Sequence, residues 1–177
     1  MNGSSLQFEA RWSRLVWVAT SAVIVILAVV ESLIFWRAWE AARTHGIWVP
    51  LVFAALLPWG VFAVVILFAP RNYTVGSGAI VVGRLGPDAV IQFERIREIR
   101  RIDGRDIGFA WRRFGSGGFF GWFGRFYSRT LGAFRAYATN MCDLVLITEV
   151  DGTKTVLSPY PPDAFLEAVQ RRIERRA

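Results

Sequence analysis

The residue types that usually carry protein chemistry are few in this chain and lie far apart. Its 177 residues include one cysteine, Cys142, one histidine, His45, and one lysine, Lys154. A structural zinc site needs about four Cys or His ligands, and a Ser-His or Cys-His pair needs a histidine beside its nucleophile. A single cysteine also excludes an intrachain disulfide. The sequence therefore predicts no metal site, no cofactor and no thiol chemistry.

Glycines in the middle of the chain could cradle a phosphate, but their spacing argues against it. A dinucleotide fingerprint has the pattern G-x-G-x-x-G, and after Gly115 and Gly117 the third position is occupied by Phe120. A P-loop is excluded because the sequence has no Gly-Lys-Ser/Thr stretch. No pair of carboxylates stands out for acid-base catalysis. We therefore expect a non-enzymatic protein, with an enzyme or a transporter accessory subunit as a remote alternative.

Residues 112–140 form a segment dense in glycine, aromatic residues and arginine. Arginine offers a fixed positive charge and a planar fork of donors, and aromatic rings offer apolar area to a bilayer or a partner. The candidate binding surface consists of Arg112, Arg113, Phe119, Phe120, Trp122, Phe123, Arg125, Arg129 and Arg135. The alternative for the aromatic residues is that they fill a core, and their types alone leave both interpretations open.

Two long apolar stretches precede this segment. Residues 15–36 contain one charged residue, Glu31, and residues 47–69 contain none. At about 1.5 Å per residue, each stretch can cross the roughly 30 Å hydrocarbon core of a bilayer. A cleavable signal peptide fits less well, because the first apolar run is too long and no small-residue cleavage site follows it. We predict a transmembrane helical hairpin over residues 15–69, behind an N-terminal tail, residues 1–14.

The distribution of charge predicts the orientation of this hairpin. The formal net charge is +7, and from Arg71 onward seventeen basic residues stand against eleven acidic ones. Segments rich in Lys and Arg tend to stay in the cytoplasm, so both termini are predicted to be cytoplasmic. Topology and anionic lipid are enough to explain basic residues beside membrane helices, so the sequence predicts no nucleic acid partner.

Residues 70–177 have the pattern of a β-rich domain that ends in a helix. Asp151-Gly152 lies between two β-branched runs and predicts a hairpin, and residues 76–78 predict another turn. The spacing of isoleucines over residues 96–102 fits either a helical turn or a bent strand. A C-terminal amphipathic helix is predicted from its apolar face: Phe165, Leu166, Val169 and Ile173. This succession predicts a small barrel or sandwich that the last helix closes.

An ordered set of motifs runs through the same domain. These motifs are Arg113-Phe114-Gly115, Gly118, Gly121, Gly124, Tyr137-Ala138-Thr139-Asn140 and Ser158-Pro159. With them, residues 71–172 resemble a known family, the bacterial pleckstrin-homology (PH) domain proteins that carry this domain behind membrane helices. One departure is Pro161, which precedes the helix-starting Pro162 where the family usually has an aspartate. Without that N-cap, the helix start should be weaker by about 1 kcal/mol.

The resemblance implies a membrane helical hairpin followed by a PH-like barrel or sandwich with a C-terminal helical cap, in a multi-pass protein of the bacterial inner membrane. It also implies a binding or assembly role, and it supplies no catalytic residue. Our principal expectation is a scaffold that contacts a protein partner, or a second copy of itself, at the inner face of the membrane. The alternative is binding of anionic membrane lipid by the basic, aromatic segment. No small-molecule substrate is indicated.

Overall fold

The computed structural model describes residues 5–45, 48–118 and 120–175, in which two long helices lead into a β-rich domain. Helix α1 spans Arg14–His45 and helix α2 spans Trp48–Phe68. Ten strands within the described residues form two sheets, one of four strands and one of six. A single strand, β1, precedes the two helices, and the other nine follow them.

Helix α1 is longer than the apolar stretch predicted at residues 15–36, because most of the residues between the two stretches continue the helix as far as His45. Its part Arg14–Trp39 is the one described helical stretch that is long and apolar enough to cross a membrane, judged by length and composition. The apolar part of α2, Val52–Phe68, falls short of the same criterion. Of the two predicted membrane spans, the first is therefore supported on these grounds.

The two helices contact each other through a polar pair. Trp59 Nε1 donates a hydrogen bond to Glu31 Oε2 at 2.6 Å. Pro58 lies directly before Trp59 inside α2, and the helix continues through it. A carboxylate in an apolar helix is costly unless it finds a donor. The indole therefore gives Glu31, the one acid of the first predicted span, a partner on the neighbouring helix.

The four-stranded sheet joins the start of the chain to the region after α2. Its strands are β1 (Leu6–Glu9), β2 (Asn72–Val75), β3 (Ala79–Gly83) and β4 (Ala89–Gln92). They are antiparallel neighbours in this order, and the turn predicted at residues 76–78 connects β2 to β3. The segment predicted as an N-terminal tail thus contains an edge strand of the domain.

The six-stranded sheet carries the rest of the domain. Its strands are β5 (Ile96–Ile102), β6 (Ala110–Gly117), β7 (Trp122–Ser128), β8 (Gly132–Ala138), β9 (Leu144–Glu149) and β10 (Lys154–Leu157). The order is β5-β9-β10-β8-β7-β6, and β10 runs parallel to β8.

The hairpin predicted at Asp151-Gly152 is confirmed between β9 and β10. Of the two alternatives for residues 96–102, the strand is correct, with an irregular register near Ile96. A one-turn helix, α3 (Gly104–Ile107), leads into β6.

The main core lies between the two sheets and the C-terminal helix α4, which spans Pro162–Glu174. Phe165 and Val169 are completely buried on α4, and Phe8 of β1 meets Phe165 edge to face at 5.2 Å between ring centroids. No side chain caps the helix start at Pro161, as the sequence predicts. The coarse plan of a β-rich domain with a closing C-terminal helix is therefore confirmed.

A second apolar cluster covers the opposite face of the six-stranded sheet. Phe126 and Phe134 stack at 5.8 Å on neighbouring strands, and Ile107 of α3 packs into the same cluster. Strand β9 is buried along almost its whole length because it has a core on each side. Its nearly continuous apolar sequence is typical of a strand covered on both faces.

A buried polar network ties the domain to the start of α1. Thr139 Oγ1 donates to the carbonyl oxygen of Arg11 at 2.8 Å, and the Thr139 amide donates to Ser158 Oγ at 2.8 Å. Tyr73 OH donates to the carbonyl oxygen of Tyr137 at 2.6 Å. Burial of the phenol raises the pKa of Tyr73 to about 12. The network uses two of the motifs that carry the family resemblance, residues 137–140 and 158–159.

Candidate functional site

Strands β6, β7 and β8 place the predicted aromatic and basic segment in a regular register. Trp111 lies opposite Tyr127, and Phe114 lies opposite Arg125, which in turn lies opposite Arg135. Because side chains alternate along a strand, these five residues share one face of the sheet. We call this face the outer face.

An irregularity in β6 decides which residues belong to the outer face. The register shifts between Arg112, which lies opposite Phe126, and Phe114, which lies opposite Arg125. Arg113 is the extra residue of this bulge. Arg112 therefore belongs to the opposite face, where it lines an apolar cavity of about 440 Å³ together with Trp122 and Phe126. Trp122 is half-buried there.

Strand β6 forms an edge of the described sheet, with β7 as its paired neighbour. Three aromatic side chains on it or just before it are largely open to solvent: Phe109 is 75% exposed, Trp111 66% and Phe114 77%. Phe109 and Trp111 contact each other edge to face at 5.2 Å between ring centroids. The edge thus combines unpaired backbone groups with a cluster of exposed aromatic rings.

Other aromatic residues of the predicted surface face inward. Phe120 and Phe123 are buried, and the Phe120 ring lies 4.9 Å from Phe62 of α2 and 5.4 Å from Trp12, measured between centroids. These two phenylalanines therefore join the domain to the helices and do not form part of an open surface. Phe119 lies outside the described residues.

All five arginines of the predicted surface are exposed, but they are divided among different places. Arg125 and Arg135 stand side by side on the outer face, and Arg112 lies on the opposite face. Arg113 occupies the bulge, and Arg129 lies in the turn between β7 and β8. The sequence therefore predicted that these arginines are exposed, but it did not predict that they lie in different parts of the domain.

A cavity of about 590 Å³ lies between the last turns of α2 and the outer face. Its α2 side is apolar, with Val64, Val65 and Phe68. Its cationic residues are Arg84, Arg125 and Arg135. We call this cavity the arginine pocket. It brings together two arginines of the predicted surface and one that the sequence did not indicate.

Arg84 reaches the pocket because the turn after β3 is fixed to the end of α2. The Gly86 amide donates to the carbonyl oxygen of Leu67 at 2.7 Å. From this turn, the Arg84 guanidinium carbon lies 5.7 Å from the centroid of the Phe68 ring and 5.4 Å from that of Tyr137. Both rings attract the cation and hold it at the mouth of the pocket.

Two glycines form the floor of the arginine pocket where β6 and β7 approach closely. Gly115 and Gly124 lie opposite each other, with φ values of 115° and 124°. A Cβ atom on Gly115 would overlap the Phe123 carbonyl oxygen, and one on Gly124 would overlap the Phe114 carbonyl oxygen. Both the backbone conformation and the available space therefore require glycine at these two positions.

The side chains of the arginine pocket and of the β6 edge are mainly cationic, aromatic and aliphatic. Among residues 5–45, 48–118 and 120–175, no group of three or more His, Cys, Asp or Glu side chains is arranged to hold a metal ion. The arginine pocket offers cationic donors beside apolar walls, and the β6 edge offers backbone groups beside aromatic rings. The first arrangement suits an anion with an apolar part, and the second suits a protein strand.

The sequence of residues 71–173 matches the family described as Bacterial PH domain. The match covers more than half of the chain. This chain belongs to the bacterial PH domain family. No curated protein and no solved structure matches it.

Membership in the bacterial PH domain family confirms the PH domain that the sequence motifs indicated, and it suggests a binding or scaffold module. The match begins at Arg71, directly before β2, and includes β2 to β10 and most of α4. Strand β1 and both long helices lie outside it. In this bacterial PH domain protein, the arginine pocket therefore combines residues of the family domain with residues of α2.

The predicted site residues did not include the aromatic residues Phe109, Trp111, Phe114 and Tyr127, or Arg84 of the arginine pocket. For Trp111 and Tyr127, the alternation of side chains along two paired strands was an available signal. Their exposure depends on what covers the outer face, which the arrangement of the other elements determines and these two strands alone do not show. No pattern in the sequence indicated Arg84 as a site residue, because its neighbours in the pocket come from α2, β6, β7 and β8.

Proposed function

We propose that this bacterial PH domain protein is a non-catalytic scaffold, anchored at the inner face of the cell membrane by α1 and α2, that binds a protein partner along β6. The observation that carries this proposal is the exposed β6 edge with Phe109, Trp111 and Phe114. An exposed sheet edge is a template for another strand, and a cluster of exposed aromatic rings is typical of a protein contact surface.

Two observations favour the β6 edge over the opposite edge of the same sheet. Arg95, directly before β5, and Arg101, near the end of β5, form ion pairs with acidic side chains, and exposed positions of β5 carry charges. Charged edges resist pairing with another strand. Strand β6 also carries two arginines, Arg112 and Arg113, but it differs from β5 in the exposed rings of Trp111 and Phe114, which contribute apolar burial on contact.

The sheet pairing supports the proposed membrane hairpin. Strand β1 precedes α1 and β2 follows α2, yet the two strands pair from Leu6↔Val75 to Glu9↔Asn72. The two ends of the helical pair therefore meet in one sheet. If α1 crosses the bilayer, α2 has to return to the same side. Arg11, Arg14 and Arg71 lie at this common end, which favours the cytoplasmic side.

Photo-crosslinking tests the protein contact. A photoreactive phenylalanine analogue at Phe114 of the full-length protein in cells should give a discrete protein adduct. An adduct of twice the 20.0 kDa chain mass would identify a second copy as the partner, and another mass would identify a different protein. The matched control is the same analogue at Val90, which is 54% exposed on β4. Equal adducts at both positions, or none at Phe114, would contradict the proposal.

The single cysteine provides a test of the orientation. Cys142 is exposed, so a membrane-impermeant maleimide reports the side of the membrane on which the domain lies. We expect labelling in inside-out vesicles and protection in intact spheroplasts until the membrane is permeabilised. Labelling of intact spheroplasts would place the domain outside and would refute the proposed location.

A further inference from the structure

We propose that the arginine pocket binds the phosphate headgroup of an anionic phospholipid, with an acyl chain lying along α2. This inference adds a ligand to the protein contact proposed above. It rests on the proposed placement of α2 in the membrane, because the lipid would enter from the bilayer.

The charge of the pocket is uncompensated. Among the described residues, Arg84, Arg125 and Arg135 form no ion pair with an acidic side chain. The nearest acid in sequence, Asp88, accepts a hydrogen bond from the Arg84 backbone amide at 3.0 Å. Asp151, which lines the neighbouring cavity with Arg125 and Arg135, pairs with Arg95. Three cations therefore converge without a counter-charge.

Two of these cations are placed against their mutual repulsion. Arg125 and Arg135 lie directly opposite each other on β7 and β8. Like charges in this position destabilise a sheet. An anion bound between them would convert the repulsion into two attractions, and arginine forks match phosphate oxygens in bidentate geometry.

Arg84 provides a separate indication of a missing partner. Its Nε atom is buried and has no hydrogen-bond partner among the described residues. Buried donors are nearly always satisfied, so an exception calls for an explanation, of which a bound ion is one. The guanidinium is held between the Phe68 and Tyr137 rings, so a bound phosphate would meet a cation that is already oriented.

The apolar side of the pocket favours a lipid over a soluble phosphate compound. Val64, Val65 and Phe68 belong to the last turns of α2, and Phe123 faces them from β7. In the proposed arrangement, these turns lie where α2 leaves the bilayer. An acyl chain could follow α2 while the phosphate remains at the level of the arginines, which a water-soluble anion would not require.

The first test measures lipid retention by the full-length protein. The protein is purified in a neutral detergent, and phosphatidylglycerol, phosphatidylcholine or glycerol phosphate is titrated while bound ligand is counted by native mass spectrometry. We expect one phosphatidylglycerol per chain, bound at least tenfold more tightly than phosphatidylcholine. Glycerol phosphate binding as tightly as phosphatidylglycerol would identify a site for free phosphate and would overturn the lipid assignment.

Variants then locate the lipid. The double variant Arg125→Gln/Arg135→Gln should weaken phosphatidylglycerol binding about tenfold or more, which corresponds to about 1.4 kcal/mol. Arg84→Gln provides an independent check if the double variant folds poorly. The matched control is Arg112→Gln/Arg129→Gln, which removes the same charge from outside the pocket. Equal loss in the control would mean attraction to general surface charge and would refute the site.

The test of lipid binding can fail while the proposed function holds, and the tests of the proposed function can fail separately. Cys142 labelling reports the membrane side and does not need bound lipid. Phe114 also lines the arginine pocket, but crosslinking there is read as a protein adduct, which a bound lipid does not give. Absence of lipid binding alone would refute the proposed ligand of the pocket and would not affect the proposed scaffold function. Labelling of Cys142 from outside would remove the proposed location at the inner face.

Discussion

Two groups of arginines in this domain have opposite surroundings. Arg95 contacts Glu149 at 3.1 Å and Asp151 at 2.6 Å, and Arg101 contacts Asp143 and Asp163. Each of these two arginines bridges a pair of carboxylates. The arginine pocket gathers Arg84, Arg125 and Arg135 without such a partner among the described residues.

The two paired arginines have a structural role, whereas the arginines of the pocket are free to contact a ligand. The paired group joins β5 to its neighbours, since Asp163 lies in the first turn of α4 and Glu149 ends β9. Exposed ion pairs contribute little individually, but they neutralise these arginines locally. The unpaired group retains its full charge beside the end of α2. The arginine pocket therefore presents positive charge beside the end of α2, without an acidic partner in the described part of the chain.

The largest expected effect comes from distorting the sheet beneath the unpaired group. Gly124→Val places a Cβ against the Phe114 carbonyl oxygen in a left-handed backbone conformation. We expect a loss of about 3 kcal/mol or more in the free energy of unfolding, measured by thermal denaturation in detergent. The control is Gly117→Ala on β6, where a Cβ makes ordinary contacts of 3.6 Å or more. Unchanged stability of Gly124→Val would show that the strands can separate there.

Alkaline pH separates the contribution of Tyr73 from that of the arginines, because both groups of arginines stay charged while Tyr73 loses its proton. The folded state raises the pKa of Tyr73 from 10.0 to about 12, so its contribution to stability is complete below pH 10. It is lost as the pH rises towards 12, by up to about 3 kcal/mol. Denaturation measured between pH 9 and 12 checks this. The Tyr73→Phe variant should lack this part of the pH dependence, and a variant with the wild-type slope would assign it to another group.

Neutralising one arginine from each group should change stability in opposite directions. In detergent without anionic lipid, Arg125→Gln removes the repulsion from Arg135 and should raise the free energy of unfolding by about 0.2–1 kcal/mol. Arg101→Gln breaks its two ion pairs and should lower the melting temperature. Both variants are measured side by side by thermal denaturation. A decrease for both would mean that Arg125 has a stabilising partner and would weaken the comparison.

The smallest effect concerns the paired group in acid. Hydrogen bonds from Thr153, followed by the charge of Arg95, hold the pKa of Asp151 below its usual range. The corresponding stability is present above the ordinary range of aspartate and is lost as the pH falls through the lowered value. Asp151→Asn should make the melting temperature less sensitive to pH below 4, while Arg125→Gln leaves that sensitivity unchanged. The same acid profile in Asp151→Asn and the parent protein would contradict this.

Local sequence signals predicted the parts of the fold that depend on neighbouring residues. The hairpin at Asp151-Gly152 follows from turn chemistry, and helix α4 follows from the spacing of its apolar residues. The aromatic segment was harder because chemically similar residues have different environments. Phe114 is 77% exposed and Phe123 is 5% exposed. The bulge at Arg113 and the position of α2 decide this difference, and neither has a local signal.

Strand β1 illustrates a second limit. Its four residues have a partner strand that begins more than sixty residues later, beyond both helices. No turn residues mark such a pairing, and four residues carry too little alternation to predict a strand. The arginine pocket could not be predicted for the same reason, since its walls come from elements that are separated in the sequence.

The pairing of β1 with β2 also determines how the protein can be dissected. A fragment that starts at Arg71, where the family match begins, would leave out β1. It would remove Phe8 from the edge-to-face contact with Phe165 and leave β2 as an unprotected edge. The boundary of the family and the boundary of the folding unit therefore do not coincide. A soluble version should instead join β1 to β2 through a short designed turn that replaces both helices.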